Sequence, residues 1–363
     1  MFLLCTICAL MVFFPDTAYA SSEMVQFVNF IQKFNKSYES AEEFQYRLSV
    51  FSNNLQQAKR LQREELGTAE YGVTKFSDLT AEEFRRYGIY SNGVLDLPNI
   101  KEATTAATFP KSRDWRTKGV ISKVKDQKQC RSCWAFAVVG NIEAQWGIQG
   151  CPKNLSVQQV IDCGPCDDGC KGGYPWDAYI TVLMQGGLVN ESEYQYQAIR
   201  STCRRDLHPA AWIYDFQMLP KNEENMASYV GNNGTLTVTI NSVMLQHYKN
   251  GIIHTLHRNC DPDYVDHVVL IVGYVKGRTM AVGSQSEMSW RNGGTTMFNA
   301  THWKQKKEGK CLPYWIMKNS YGSDWGEKGY FRIFRGKNVC GITKYPLAAT
   351  VLFHKGKHTS CPT

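Results

Sequence analysis

The distribution of its 13 cysteines is the feature that most constrains how this 363-residue chain can fold. Two of them, Cys5 and Cys8, lie in an almost purely apolar N-terminal stretch, and the other eleven all follow residue 129. In an oxidising compartment, an odd number of cysteines leaves one thiol unpaired. The cysteines therefore predict a domain in the second part of the chain that has five disulfides and one free thiol.

The N-terminal stretch has the features of a secretory leader. The apolar run from Met1 to Phe14 is shorter than the roughly 20 residues that span a bilayer. It is followed by Ala18-Tyr19-Ala20, a small-x-small pattern typical of a cleavage site. We expect residues 1–20 to be a signal peptide cut after Ala20, although it lacks a basic beginning; an apolar strand is the alternative. No other segment is long and apolar enough to predict a membrane span.

The charges are unevenly distributed along the chain. The net charge is +8 overall, but residues 21–106 are slightly acidic and residues 107–363 are strongly basic. The two parts should therefore attract one another. A basic domain can indicate nucleic-acid binding, but the sequence has no helix-turn-helix, zinc-finger or RNA-binding pattern, so we expect no nucleic-acid partner. The hydrophobic content of 43% is enough for a full core.

The hydrophobic periodicity changes from helical to β along the chain. Residues 23–90 have helical spacing, with a long helix predicted over 41–65, and residues 91–108 have the composition of an exposed linker. Further helices are predicted over 132–148, 156–162 and 174–185. Strands are predicted over Leu236–Ile240, Val268–Tyr274, Tyr314–Lys318 and Gly329–Phe334. After residue 107 the order is helical first and β second, which indicates an α+β domain with two lobes.

One cysteine lies where its environment would activate it. Cys133 is at the predicted start of the 132–148 helix, and the partial positive charge of a helix N-terminus favours a thiolate. His267 opens an apolar strand, and Asn319 follows another. An imidazole oriented by an amide and placed beside a thiol is the cysteine counterpart of the serine triad. The alternatives are purely structural roles: a buried cysteine, a core histidine and a turn asparagine.

These residues resemble those of the papain family of cysteine proteases, and the resemblance covers nearly the whole chain. The family has Cys-Gly-[Ser/Ala]-Cys-[Trp/Tyr] near the mature N-terminus, with His and Asn downstream. Further similarities are Asp114-Trp115-Arg116, the loop 170–176 and the segment 325–330. The helix 41–65 resembles the family's prosegment helix, with Glu43, Arg47, Phe51 and Asn54 at the expected steps, and Gly72, Thr74, Phe76 and Asp78 resemble its second prosegment motif.

The resemblance implies an α+β fold with a helical left lobe and a β-barrel-like right lobe, preceded by a helical inhibitory prosegment. The expected domains are the signal peptide (1–20), a propeptide over 21–106, called the prosegment below, and a mature peptidase domain over 107–363. An insertion at about 276–312 separates two strands that the family joins by a short turn.

The resemblance also implies a role for each site residue. Cys133, His267 and Asn319 form the triad, and Gln127 donates its side-chain amide to the oxyanion, a contact worth about 3 kcal/mol. Gly172 and Gly173 let an extended substrate backbone approach. The pocket for the side chain preceding the scissile residue (S2) is apolar, which favours a bulky apolar P2 residue. Its expected lining is Tyr174, Pro175, Thr239, Val265, Val268 and Tyr345, with Asp266 as a further substrate contact.

Disulfides follow from the same resemblance. The pairs Cys130–Cys170, Cys163–Cys203 and Cys260–Cys340 match the family. For the four extra cysteines we expect Cys151–Cys166 and, with less support, Cys311–Cys361. The alternative for the cysteine-rich stretch 163–170 is a zinc site, which we do not favour in a secreted chain. Neither a metal ion nor a cofactor is expected. N-glycosylation sequons open at Asn35, Asn154, Asn190, Asn233 and Asn299.

Three features depart from the family. Arg131 replaces a glycine beside the nucleophile, and Tyr321 replaces the tryptophan that usually shields the His–Asn hydrogen bond. The third is the insertion, which contains both basic and aromatic residues. A long cation at Arg131 is expected to crowd the cleft, to favour an acidic P1 residue or to hold the thiolate by its charge. These departures leave the triad intact but put ordinary broad proteolysis in doubt.

The sequence therefore predicts the zymogen of a cysteine endopeptidase whose prosegment detaches when acid protonates its carboxylates. The alternative is a papain-like protein that has lost efficient catalysis and acts by binding. A third idea is that the free prosegment inhibits related proteases. The expected partners are protein or peptide substrates, the chain's own propeptide and cystatin-like inhibitors, and the protein is expected to be a monomer. The expected location is the secretory pathway, in a lysosome-like compartment or the endoplasmic reticulum, or outside the cell.

Overall fold

The structure is a computed structural model that describes residues 18–89, 100–165, 169–277, 312–352 and 361. Most of the expected signal peptide, nearly all of the insertion, Asn299, Cys166 and Cys311 lie outside the described residues. No helix among the described residues is both long and apolar enough to cross a membrane.

Two helices and a small aromatic core make up most of the prosegment. Helix α1 (Ala18–Phe34) packs against α2 (Ala41–Glu64), whose N-cap Ser40 accepts a hydrogen bond from the N–H of Glu43 at 3.1 Å. The side chains of Phe27, Phe30, Phe51 and Leu55 bury one another between the helices. After α2 follow the strand β1 (Glu70–Tyr71) and the short helix α3 (Ala81–Phe84). The predicted long helix is thus present with nearly the predicted bounds.

The left lobe is built around a central helix. Helix α4 (Cys133–Ile148) is buried along almost its whole length, because α6 (Pro175–Met184), α5 (Val157–Cys163) and strands of the other lobe pack around it. A helix that is apolar on all sides can lie only in a core of this kind. Its first residue is Cys133, so the fold places the nucleophile candidate where the two lobes meet.

The right lobe is an eight-stranded sheet with helix α7 (Glu223–Asn232) packed against it. The strands run in the spatial order β3-β10-β4-β7-β8-β9-β6, and β2 pairs with the end of β7. All pairs are antiparallel except β6–β9. The bounds are β2 Ser112–Asp114, β3 Asp215–Met218, β4 Leu236–Ile240, β6 Ile252–Ile253, β7 His267–Val275, β8 Tyr314–Lys318, β9 Tyr330–Phe334 and β10 Leu347–Thr350.

This sheet corrects the expectation of a barrel-like lobe. Strands β3 and β6 are its two ends, and no pairing among the described strands closes it. Separately, strand β5 (Tyr248–Asn250) pairs with the prosegment strand β1, so the prosegment is joined to the mature domain by a two-stranded sheet.

Four disulfides link the described cysteines. Three are Cys130–Cys170, Cys163–Cys203 and Cys260–Cys340, as the resemblance implied. The fourth is Cys151–Cys361, which corrects both pairs expected for the extra cysteines. The partners are 210 residues apart in sequence, but the fold brings their Cα atoms within 5.6 Å. Cys133 is the one free cysteine in the described part of the chain.

Candidate active site

The N-terminus of α4 presents Cys133 under the prosegment. Its N-cap is Ser132, whose hydroxyl pairs with the phenol of Tyr196 at 2.9 Å instead of capping the helix. The neighbouring Cys130 is tied to Cys170 by a disulfide. Both constraints fix the backbone on either side of the nucleophile candidate. The Cys133 side chain is 0% exposed.

The strand register brings His267 and Asn319 together. His267 begins β7, and Asn319 directly follows β8, which is antiparallel to β7 with Leu270 opposite Lys318. The imidazole Nε2 of His267 lies 2.8 Å from Oδ1 of Asn319. The other ring nitrogen, Nδ1, is buried without a hydrogen-bond partner among the described residues. The backbone of Tyr87 is nevertheless close enough to the ring to raise the pKa of His267 slightly against the effect of burial.

Gln127 is held between the two lobes by hydrogen bonds of both its backbone and its side chain. Its backbone N–H donates to the carbonyl of Ser320 at 2.8 Å, and its side-chain carbonyl accepts from the Ser320 hydroxyl at 2.6 Å. Its amide Nε2 donates to the carbonyl of Cys130 at 2.8 Å and to that of Tyr87 at 3.0 Å. The amide expected to bind an oxyanion therefore binds a carbonyl of the prosegment.

The segment 85–89 of the prosegment lies directly over this site. The N–H of Ile89 donates to the carbonyl of Asp266 at 2.5 Å, next to His267. At Gly88 an added Cβ would stand 2.2 Å from the same carbonyl oxygen, so only glycine permits this close approach. The side chain of Ile89 is buried in the same hydrophobic cluster as Cys133. A substrate cannot reach the thiol while this segment is in place.

Burial under the prosegment sets the protonation of both candidate groups. Desolvation raises the pKa of the Cys133 thiol to about 12, against a smaller opposing effect of the Val268 backbone. Desolvation also lowers the pKa of His267 to about 4, although its bond to Asn319 acts in the opposite direction. The helix N-terminus alone predicted a thiolate, but in this covered state desolvation outweighs it. Both shifts favour the neutral thiol and the neutral imidazole while the prosegment covers the site.

The expected substrate loop borders the cleft. Gly172 has a φ of +134°, which favours glycine, and a Cβ at Gly173 would come within 2.6 Å of the Trp134 ring. The N–H of Arg131 donates to the Cys170 carbonyl at 3.1 Å, which connects this loop to the nucleophile loop. Tyr174 and Pro175 follow at the start of α6. Backbone conformation at Gly172 and the close contact with Trp134 at Gly173 thus explain why both positions are glycine.

The residues expected to line S2 are buried around the same end of the sheet. Thr239 lies opposite Val268 in the β4–β7 ladder, and its hydroxyl has no partner among the described residues. Val265, Val268 and Tyr345 belong to the hydrophobic cluster that contains Ile89. Asp266 accepts the N–H of Ser242 at 2.7 Å through its side chain and the N–H of Ile89 through its backbone.

Tyr321 covers the His267 ring. The two rings stack at a centroid distance of 5.0 Å, and the prosegment residues Phe76, Phe84 and Tyr87 pack on the other faces of Tyr321. The phenol is 0% exposed and its hydroxyl has no partner among the described residues. A tyrosine thus occupies the expected shielding position.

The sequence did not single out Tyr87, Gly88, Ile89 or Ser320, which all contact the site. The sequence around these residues does not indicate a role in the site, because their roles depend on backbone carbonyls and N–H groups that meet only in the fold. Of the sequons, Asn35, Asn154 and Asn233 are exposed, and Asn190 is half-buried beside Glu193.

Comparisons with known proteins place the chain in a class. A model described as papain family cysteine protease matches residues 109–350, and one described as cathepsin propeptide inhibitor domain matches residues 27–84. Together with the fold, these matches show that the chain belongs to the papain family and is a cysteine protease zymogen.

Individual relatives show which papain-family proteases the chain is similar to. Cathepsin W of Mus musculus is 44% identical over 340 residues, which is 91% of this chain and 88% of the relative. Cathepsin F of Mus musculus is 38% identical over 90% of this chain and 64% of the relative. Among solved structures, procathepsin L2 from Tenebrio molitor has a TM-score of 0.75 at 28% identity, covering 91% of this chain and all of that one. The chain is thus similar to cathepsin W over most of its length.

Proposed function

We propose that Cys133 is the nucleophile of this protease, His267 its general base and acid, and Asn319 the group that orients the imidazole. The 2.8 Å contact between His267 Nε2 and Asn319 Oδ1 carries the proposal, because it leaves Nδ1 available for the thiol. Gln127 and the backbone N–H of Cys133 are the proposed oxyanion donors.

The reaction requires the prosegment to leave first. Water then enters, the costs of desolvation disappear, and the proton of Cys133 passes to His267 to form a thiolate and an imidazolium. The thiolate attacks the peptide carbonyl carbon, and the resulting oxyanion takes the Gln127 amide donor that Tyr87 had occupied. His267 protonates the leaving amine, so that an acyl-enzyme remains. It then removes a proton from water, which attacks the acyl carbon and releases Cys133.

Extended peptides with a bulky apolar P2 residue are the proposed substrates. Gly172 and Gly173 support this because they leave the cleft wall open to a peptide backbone. The buried Val265, Val268 and Tyr345 support the apolar P2 preference. Profiling on a peptide library would contradict this pocket if a charged P2 residue dominated.

The compartment and the state of the protein are also proposals. Four disulfides among the described cysteines and three exposed sequons support passage through the secretory pathway to an acidic or extracellular location. We further propose a monomer that binds substrates, its own prosegment and cystatin-like inhibitors.

Covalent labelling tests the proposed nucleophile. Precursor treated with acid to remove the prosegment is incubated with an epoxysuccinyl probe and mapped by mass spectrometry. We expect stoichiometric labelling at Cys133 and none in a Cys133→Ala control. Absence of labelling in a folded, prosegment-free sample would contradict the proposal.

A second candidate function is binding without efficient catalysis. The tyrosine at position 321 favours it, because its phenol is smaller than the indole usual in the family and covers less of the His–Asn hydrogen bond. Labelling combined with turnover separates the two. Labelled Cys133 with no measurable hydrolysis of any peptide in the library would favour the binding protein.

A further inference from the structure

A buried histidine lies under the prosegment, away from the catalytic residues. His247 directly precedes β5, and its carbonyl accepts the N–H of Gly72 from the prosegment at 2.9 Å. Its side chain is only 5% exposed, and its Nδ1 has no hydrogen-bond partner among the described residues. The next residue, Tyr248, pairs with Tyr71 across the β1–β5 sheet. The backbone of His247 therefore lies within the contact between the two parts of the zymogen, which we call the seam (residues 60–72 and 246–254), and Arg60 of the prosegment is near enough to act on its ring.

The charges facing His247 disfavour its protonation. Arg60 approaches from α2, and it is held in place by the side chains of Asn259 at 2.9 Å and Glu64 at 3.5 Å. From β1 and β5 the titratable neighbours are the phenols of Tyr71 and Tyr248, which are themselves buried. The carboxylate of Glu65 is occupied by the Tyr71 hydroxyl and by the N–H groups of Gly67 and His254.

We propose that His247 is an acid sensor that releases the prosegment when its buried imidazole takes up a proton. The proposal rests on the proposed function, in that residues 21–106 act as a detachable inhibitor. A protonated ring at this position would be a cation without an acceptor at Nδ1, beside a guanidinium, in the seam that joins the two parts. Undocking the prosegment restores water to the ring and removes Arg60.

The direction of the pH effect follows from linkage. Burial, and next the charge of Arg60, lower the pKa of His247 to about 4 in the docked state. After undocking, the exposed ring returns towards its ordinary value of about 6.5. The undocked form therefore binds the proton more tightly, and docking weakens as the pH falls from 6.5 towards 4. Between neutral pH and pH 4.5 the expected loss is on the order of tenfold to a hundredfold in the docking equilibrium.

This sensor differs from the carboxylates expected from the sequence. The ion pairs Lys36–Asp78 and Arg47–Glu83 lie within the prosegment, so their protonation would loosen its own fold. The ion pairs Glu64–Arg258 and Lys75–Asp126 cross to the mature domain, so protonation of their carboxylates adds to the effect of the histidine. His247 lies on the mature domain at the contact with the prosegment, so its protonation acts directly on the docking equilibrium. A second seam residue, His254, has a pKa lowered by burial and then by Lys337, but Lys337 and the stacked ring of Phe334 belong to the mature domain and stay in place on undocking.

The test uses the full chain with Cys133→Ala, so that no self-cleavage occurs. Hydrogen–deuterium exchange of the backbone of residues 60–76, corrected for the intrinsic rate, is followed from pH 7 to pH 4. We expect exchange to rise with acid, and His247→Gln to shift the midpoint down by about half a pH unit or more, since Gln cannot take up the proton. The exposed His208→Gln is the matched control and should keep the parental midpoint.

A second measurement needs no substitution of the histidine. Deuterium exchange at the imidazole C2 position, read by mass spectrometry, gives the pKa of His247 in the docked precursor. A value below about 5 supports the sensor, and a value near the ordinary 6.5 overturns it even if His247→Gln fails to fold. An unchanged midpoint in a folded His247→Gln chain also overturns it. Neither readout depends on catalysis, so failure of the Cys133 labelling would count against the proposed function alone.

Discussion

The hydrogen bond that His267 Nε2 donates to Oδ1 of Asn319 is the residue-scale feature on which the proposed catalysis most depends. Asn319→Ala removes the partner of His267 Nε2, and with it the group that fixes the ring. We expect kcat of the processed enzyme to fall by about 10- to 100-fold, the equivalent of a hydrogen bond to a charged group, with KM little changed. Steady-state kinetics on one peptide substrate measures both constants.

Tyr321→Phe is the matched control for that substitution. It keeps the ring that stacks on His267 and removes only a buried hydroxyl with no described partner, so kcat should stay within about twofold, which is below 1 kcal/mol. If Asn319→Ala behaved like Tyr321→Phe, the orienting role of Asn319 would be wrong.

At the scale of elements, the sequence predicted the helices and strands whose bounds depend on local hydrophobic periodicity. The helices predicted over 132–148 and 41–65 are Cys133–Ile148 and Ala41–Glu64, and the strands Leu236–Ile240 and Tyr314–Lys318 have the predicted bounds. Apolar residues predict these elements because α2 buries one face, the strand Leu236–Ile240 buries both faces and α4 is buried on all sides.

What the sequence missed depends on partners that are distant in the chain. The Cys151–Cys361 disulfide joins residues that only the finished fold brings together. The open sheet depends on whether two end strands pair, which no single strand's pattern specifies. The contact of Tyr87 with Gln127 uses a backbone carbonyl, and every residue type has one.

The prosegment segment 85–89, which lies over the site, supplies a prediction at this scale. Gly88 has a φ of −109°, which any residue adopts, so Gly88→Ala strains no backbone and acts only through the clash with the Asp266 carbonyl. Overpacking of this kind costs about 1–3 kcal/mol, which would raise the population of undocked precursor about 10- to 100-fold. We expect the Cys133 thiol of intact precursor to react with iodoacetamide faster by that factor at pH 7.

The exposed neighbour Arg86 provides the control for this prediction. Arg86→Ala changes the same segment without a contact to Asp266 and should leave the rate of alkylation at the parental value. Equal rates for the parent and Gly88→Ala would mean that segment 85–89 does not limit access to the thiol.

At the scale of the whole molecule, the two lobes are joined behind the site by a buried polar bridge. Lys318, next to Asn319 on the right lobe, donates to the hydroxyl of Ser122 at 2.8 Å. That hydroxyl in turn donates to the carboxylate of Glu143 on α4, ten residues after Cys133. Lys125 reaches the same carboxylate at 3.3 Å. Whatever loosens this bridge should move His267 and Asn319 relative to the nucleophile.

The charge on Lys318 gives this bridge a measurable pH dependence. Burial lowers the pKa of Lys318 to about 8 from its ordinary 10.5, opposed by the carboxylate of Glu143. The unfolded chain therefore binds this proton more tightly than the folded one between these values. Stability contributed by this group should rise as the pH increases from 8 to 10.5, by up to about 3 kcal/mol, and be flat below 8.

Lys318→Met isolates that contribution, because it keeps an unbranched apolar stem and cannot titrate. The free energy of unfolding is measured in urea at pH 7.5, 9 and 10, with and without Lys318→Met, in Cys133→Ala protein, which lacks the one free thiol of the described residues. We expect the difference between the two proteins to change by about 2 kcal/mol across this range, in favour of the lysine at high pH, where it is neutral when folded. A constant difference would show that Lys318 is solvated in the folded protein, and this polar bridge would then not contribute to holding the lobes together.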